Sequence, residues 1–454
     1  MEKLLFRLSA PSIIGMLVYA FYNIVDTIFV GQALGEDSVS GIGGLVIAFP
    51  IQMMAMGIAI GLGVGGASII SRALGAKEPD KAEKALETVF FLGISLGILY
   101  SFVGLILLEP LLKLFGATPG IMPYAKAYLE IIMAGSVVFT LGIATEDLVR
   151  AEGNANYAMF GMLLGAGLNI VLDPIFIFGF DMGVRGAALA TILAQFASTI
   201  FLLRYFFAGK SSVSFKPKLP SPDPEISRQV IAIGIGPCIV EASNSFIMIF
   251  INNSLASYGG DVSIAAFGII HRMYMLIFLP MLGIAFGLQP IIGYNYGAEQ
   301  FSRVVESVKA ALKISTLFSL LGFSLMFLFP APIIRIFSPD SELTAVGVEA
   351  MRIVVFALPL IGFQLVGSTV FQALGRPRPA FILSVAGQIL FLLPLVLILP
   401  KFYGLHGIWA AFPISDFLVC GLAVGLMLRE YRKFKKKVKT EKSRKLSFET
   451  EKTA

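Results

Sequence analysis

Apolar runs of 20 residues or more recur along the chain, separated by short segments that collect Gly, Pro and charge. About 20 apolar residues in a helix cross the ~30 Å hydrocarbon layer of a bilayer. Twelve such spans are expected, over about 8–33, 42–71, 86–113, 124–150, 157–179, 184–207, 229–256, 264–293, 306–334, 344–372, 379–400 and 405–428. The runs lack strand-like alternation and exceed the roughly ten residues of a barrel strand, so the spans are helices. The first run, MEKLLFRLSAPSIIGMLVYAFYN, has no small-residue cleavage site and continues into a full span. It reads as a transmembrane helix and not as a removed signal.

Within this pattern the polar interruptions carry the information. The stretch LLGAGLNIVLDPIFIFG (163–179) is apolar throughout except for Asn169 and Asp173. Their spacing of four places both on one helical face. A carboxylate at membrane depth is costly and faces protein, a partner or water, so an ion or substrate site is expected. Pro174 follows and loosens the helical ladder beside it. In the first span, YNIVDTIFVGQALG (22–35) carries Asp26, with Tyr22 one turn earlier and Asn23 adjacent, well before the Gly35-Glu36-Asp37 loop. Pro11, further back, permits a bend. Thr191 supplies a hydroxyl at comparable depth in span 6. Asp26, Asn169, Asp173 and Thr191 form an all-oxygen set, suited to a hard cation such as Na⁺ or to proton sharing between carboxylates.

Composition confirms the class: the 454 residues are 57% hydrophobic with 14% charged. The net charge of +6 is misleading, because residues 429–454 hold 11 basic and 4 acidic residues and the remainder is nearly neutral. That tail reads as a basic cytoplasmic anchor beside the last helix, and no nucleic-acid partner is expected. Counted over the termini and loops, 28 Lys/Arg fall on one side of the expected topology and 5 on the other. Both termini are therefore expected in the cytoplasm of a multi-pass plasma-membrane protein. Cys238 and Cys420 lie in apolar runs, so no disulfide is expected. No organic cofactor is indicated.

The chain is also internally repeated. An offset of 222 aligns Gly61, Gly65, Gly75 and Ala76 with Gly283, Gly287, Gly297 and Ala298, and Arg150-Ala151-Glu152-Gly153 with Gln372-Ala373-Leu374-Gly375. GVRGAALATILAQ (183–195) answers GLHGIWAAFPISD (404–416). An ordered series at near-constant offset marks a duplicated unit. Six spans per half make the repeats parallel. The expected organisation is an N-lobe (1–206), a Pro-, Ser- and Lys-rich cytoplasmic linker (207–228), a C-lobe (229–428) and the tail (429–454), with a central cavity that opens alternately. Asp26 aligns with Asn252 once a gap is allowed, and Asn169 and Asp173 align with Phe391 and Leu395. Ion coupling is thus expected in the N-lobe alone.

Other candidates rank behind this set. Glu241 and Asn244 in span 7, and His271 beside Arg272 in span 8, are possible cavity or substrate groups. Asp416 in span 12 leans to a structural role. Glu146, Asp147 and Arg150 read as a cytoplasmic-end charge cluster. Met53 in span 2 and Met275 in span 8 suit an adaptable apolar pocket or plain packing. Two histidines and no nucleophile–base set argue against an enzyme. A P-loop is also missing, so an ion gradient is the expected energy source.

The chain resembles the multidrug and toxic compound extrusion (MATE) family, DinF-like branch, over about residues 5–430. The resemblance rests on the two six-span lobes with YNIVDTIFVGQALG, VRAEGN and LNIVLDP in order. It implies antiport of cationic or amphipathic organic compounds against H⁺ or Na⁺ by a monomer embedded in lipid. It also implies an ion site on Asp26, Asn169, Asp173 and Thr191, and a hinge at Pro11. A C-lobe site of the NorM-like type would pair Glu241 with an acid in span 10, where only Gln364 and Ser368 stand. Two alternatives are a flippase of lipid-linked precursors, disfavoured by the scarcity of cations within the spans, and a receptor without transport, which would not need a lobe-specific acid pair.

Overall fold

The computed structural model describes residues 1–33, 38–213 and 222–453. The Gly35-Glu36-Asp37 loop, the Asn23 side chain and residues 214–221 of the 207–228 linker lie outside the described residues. Backbone groups in hydrocarbon must bond within their own segment, and the described chain is accordingly helical. The elements are α1 (Glu2–Ala33), α2 (Ser38–Gly75), α3 (Pro79–Ile106), α4 (Leu108–Leu114), α5 (Met122–Ala134), α6 (Ser136–Ala151), α7 (Ala155–Pro174) and α8 (Val184–Phe207). The second half holds α9 (Pro224–Gly297), α10 (Phe301–Leu328), α11 (Pro330–Phe337), α12 (Ser341–Val354), α13 (Ile361–Ala373), α14 (Pro377–Val385), α15 (Leu393–Ile398) and α16 (Pro400–Thr453).

Among the described residues ten helices are long and apolar enough to span a membrane, and α5 with α6 makes an eleventh, bent by 58°. At 74 residues α9 would measure about 110 Å, several bilayers deep. Gly260 breaks it with a φ of 63°, a value that glycine adopts without strain, and so α9 supplies spans 7 and 8. This is the twelve-span, all-α architecture expected.

The spans are less regular than the sequence pattern suggests. Span 4, expected as one helix over 124–150, divides at Gly135, where an added Cβ would lie 2.4 Å from Ile192 of α8. Span 10 tightens to a 3₁₀ segment, Val355–Leu360, around Pro359. Span 5 relaxes to a π turn, Ile175–Gly179, directly after Pro174, and span 11 does the same over Ala386–Leu392. A proline has no N–H to return to the ladder, and π turns recur at functional positions.

The chain resolves into two compact units. The amino-terminal unit comprises Ile14–Leu74 and Glu78–Ala242; the carboxy-terminal unit comprises Met1–Ile13, Gly75–Lys77 and Ser243–Ala454. The leading segment of each half therefore packs with the other half. The repeated glycines make room for it. In the amino-terminal unit Gly61 and Gly65 of α2 take the start of α9, with added Cβ atoms falling 2.8 Å from Gly234 O and 2.3 Å from Val230 O. In the carboxy-terminal unit their counterparts on α9, Gly283 and Gly287, take the start of α1. Added Cβ atoms there would lie 2.9 Å from Ile13 N and 2.7 Å from Ser9 N. Lipid gives no hydrophobic push between helices, so close approach at small residues carries such crossings.

Two polar clusters sit at the carboxy-terminal end of span 4. Arg150 Nη2 donates to Glu146 Oε1 at 2.6 Å and to Asp147 Oδ1 at 2.8 Å. The side chains are nearly enclosed, so the expected end-of-helix charge cluster is a buried ion triad; Gly63 of α2 leaves the space into which Asp147 reaches. Just beyond it Glu152 accepts from Tyr205 at 3.1 Å, Ser211 at 2.6 Å and the Ser212 N–H at 2.7 Å, tying the start of the linker to α8.

Candidate ion-binding site

All four expected oxygen donors belong to the amino-terminal unit and meet there. Asp26 comes from α1, Asn169 and Asp173 from successive turns of α7, and Thr191 from α8. Asn169 Nδ2 donates to Asp173 Oδ1 at 3.1 Å and reaches Thr191 Oγ1 at 3.4 Å. Thr191 in turn donates to the Ala187 carbonyl one turn back, at 3.0 Å, which fixes its rotamer. Asp26 and Asp173 lie close enough to act on one another's charge. Two carboxyl groups so placed away from water need a proton or a cation between them.

Their burial is nearly complete: Asp26 is 9%, Asn169 2% and Asp173 0% exposed. Asp26 Oδ1, Asn169 Oδ1 and Asp173 Oδ2 are buried with no hydrogen-bond partner. Three such oxygens, on α1 and α7, have the chemistry to hold a hard monovalent cation or to accept a proton. Among the described residues no group of three or more His, Cys, Asp or Glu could hold a metal ion.

The tyrosines complete the site. Tyr22 packs edge-on against Tyr19 with ring centroids 5.0 Å apart, and it faces Asp26 one turn on. Tyr128 of α5 is buried, lies beside Thr191 and is close enough to Asp26 and Asp173 to feel both charges. Sequence reasoning missed Tyr128. It stands as one aromatic in an ordinary apolar run, and only the bend at Gly135 and the packing of α5 on α8 bring it to the site.

The remaining candidates lie on other elements. Pro11 is buried in α1 within the segment that joins the carboxy-terminal unit, three residues before the chain passes to the other unit. Met53 is half-buried on α2, and Met275 is exposed on α9. Glu241 packs its stem near Gly57 in the amino-terminal unit, whereas Asn244, three residues on, belongs to the other. His271 lies against the Phe267 ring at 5.8 Å.

A two-repeat bundle of membrane-spanning helices with a sealed pair of carboxylates is a transporter architecture and not that of an enzyme. The chain belongs to the MatE family, which it matches over residues 11–175 and 237–398. It is 29% identical to the multidrug export protein MepA of Staphylococcus aureus (strain NCTC 8325 / PS 47) over 426 residues, 94% of this chain and 93% of that one. It is 43% identical to the MATE multidrug transporter DinF-BH, solved in complex with a dye, covering 94% of this chain and 95% of that one with a TM-score of 0.87. A MATE solved in a bent conformation is 29% identical, with a TM-score of 0.88 over 96% of each chain.

Proposed function

We propose that the protein is a secondary active exporter of cationic or amphipathic small organic molecules, driven by inward movement of H⁺ or Na⁺ through alternating access. The observation that carries this reading is the buried pair Asp26 and Asp173, which with Asn169 holds three oxygens that have no hydrogen-bond partner. Such a pair holds a cation or proton far better in one conformation than in another, and only that difference can couple two fluxes. Asp26 and Asp173 bind the coupling ion, Asn169 and Thr191 complete its shell, and Tyr128 closes the site beside Thr191. Bending of α1 at Pro11 would move Asp26 relative to α7, opening the site in one state. A relative named for multidrug export and a neighbour crystallised with a dye support a broad organic substrate range. The basic tail and the basic loops support an orientation with both termini in the cytoplasm and the bundle in the plasma membrane.

The test is efflux of a cationic dye by reconstituted vesicles with pH and Na⁺ gradients imposed separately. Asp26→Asn and Asp173→Asn should each abolish gradient-driven efflux and leave folded protein, while Asn252→Ala, at the repeat position, should be mild. Efflux indifferent to both gradients would refute the reading.

A further inference from the structure

At the repeat positions of Asp26 and Asp173 the carboxy-terminal unit has Asn252 and Leu395, yet it carries a carboxylate of its own. Asp416 lies twelve residues beyond the Gly404 break in α16 and twelve before Leu428. That is about 18 Å of helix on each side, the middle of span 12. Gln364 Nε2 of α13 donates to the Asp416 backbone oxygen at 2.9 Å and to its Oδ1 at 3.3 Å. Asp416 forms no ion pair among the described residues. An unpaired charge at mid-membrane is costly and marks function by default. Unlike Asp26 and Asp173, it is only half-buried.

The repeat shows that the charge is an addition. Asp416 takes the place of Gln195, and Gln364 that of Gly142. The equivalent pair is also in contact in the amino-terminal unit, where a Cβ on Gly142 would meet Gln195 Nε2 at 2.4 Å. One unit makes this crossing with a neutral amide on glycine; the other makes it with an amide on a carboxylate.

Aromatic side chains pack beside the carboxylate, Phe267 and Trp409 buried and Tyr274, Phe278 and Phe412 partly buried. Phe267, His271, Tyr274 and Phe278 recur at helical spacing on α9, and Trp409, Phe412 and Asp416 do so on α16. Phe267 joins the two faces, with centroids 6.4 Å from Trp409 and 5.6 Å from Phe412. Tyr274 stacks on Phe278 at 6.1 Å and feels the charge of Asp416. A small hard cation asks for several oxygens, and Gln364 meets Asp416 through its N–H₂. Ring faces beside one carboxylate suit instead a large, weakly hydrated organic cation.

We propose that Asp416, oriented by Gln364 and flanked by Tyr274, is a docking point for the positive group of an organic substrate, separate from the ion site. The proposal rests on the exporter reading above and assigns it a residue that recognises charge. The test uses the purified full-length protein and two probes with similar phenyl shells, the cation tetraphenylphosphonium and uncharged triphenylphosphine oxide. Asp416→Asn keeps a partner for Gln364, and should weaken tetraphenylphosphonium binding roughly tenfold or more while leaving the oxide unchanged. The residual binding should keep its dependence on H⁺ or Na⁺, which Asp26→Asn should remove. Gln364→Leu should weaken the cation several-fold and spare the oxide, which keeps the test open should Asp416→Asn prove unstable. Unchanged cation binding in Asp416→Asn, or equal loss of both probes, overturns the assignment and leaves the exporter reading standing. Failure of the wild-type protein to bind the cation at all refutes the exporter reading and this site with it.

Discussion

Gly234 of α9 meets Gly61 of α2 backbone to backbone, and Gly234→Ala tests how far the bundle depends on that crossing. The added Cβ would lie 2.0 Å from Gly61 O, 2.5 Å from its carbonyl carbon and 3.0 Å from its Cα. Ordinary contact begins at about 3.4 Å, so the helices must part by about 1.4 Å. The obstructing atoms are helix backbone and cannot rotate aside. Overpacking of this kind costs about 1–3 kcal/mol. Parting the helices would also loosen the neighbouring crossings of Gly57 on Cys238 and Gly65 on Val230. Alanine's better helix propensity returns about 0.5–1 kcal/mol. The net expectation is a loss of up to about 2.5 kcal/mol. Gly425→Ala in α16, with nothing within 4 Å of the new Cβ, should gain the propensity term alone. Thermal melting of both variants in detergent, followed by size-exclusion chromatography, reads the difference. If Gly234→Ala melts at or above Gly425→Ala, the backbone-contact reasoning is wrong.

Arg150→Met would strand Glu146 and Asp147 in the bundle, at about 3–5 kcal/mol for a broken buried pair; loss of monodisperse protein is expected, and near-wild-type melting would refute burial of the triad. Burial pushes the Glu152 carboxyl above its ordinary value of 4.5, while Ser211, Ser212 and Tyr205 pull it back. The folded protein thus binds that proton more readily than the unfolded chain, so its contribution to stability falls as pH rises through the carboxylate range. Glu152→Gln should flatten this slope in unfolding measured between about pH 4 and 7. A single cysteine in the 207–228 linker or the tail should react with an impermeant reagent only in inside-out membranes; labelling on intact cells would invert the topology.

Much of this was legible in the sequence because membrane spans are written in long apolar runs, where each polar residue stands out. Asp26, Asn169 and Asp173 were found that way, and the structure brings them together with Thr191. The matched glycines signalled duplication but not its use: Gly61, Gly65, Gly283 and Gly287 recur because each pair receives the other half's leading segment, a long-range contact that no local pattern encodes. Tyr128 was invisible for a related reason, since its role depends on a bend at Gly135 that apolarity does not register. The break at Gly260 hid nothing, because composition already divided that stretch into two spans. The Asp416–Gln364 pair needed the repeat and the coordinates together.

The exchange of leading segments has a consequence for synthesis. Ser9 and Ile13 are made some 270 residues before Gly283 and Gly287, against which they finally rest. At roughly 5–20 residues per second that interval is on the order of 15 to 55 seconds. The amino-terminal unit has all its parts once residue 242 has been added, whereas the opening thirteen residues stay without their seat through most of translation. During that time lipid, or the insertion machinery, must chaperone the first helix.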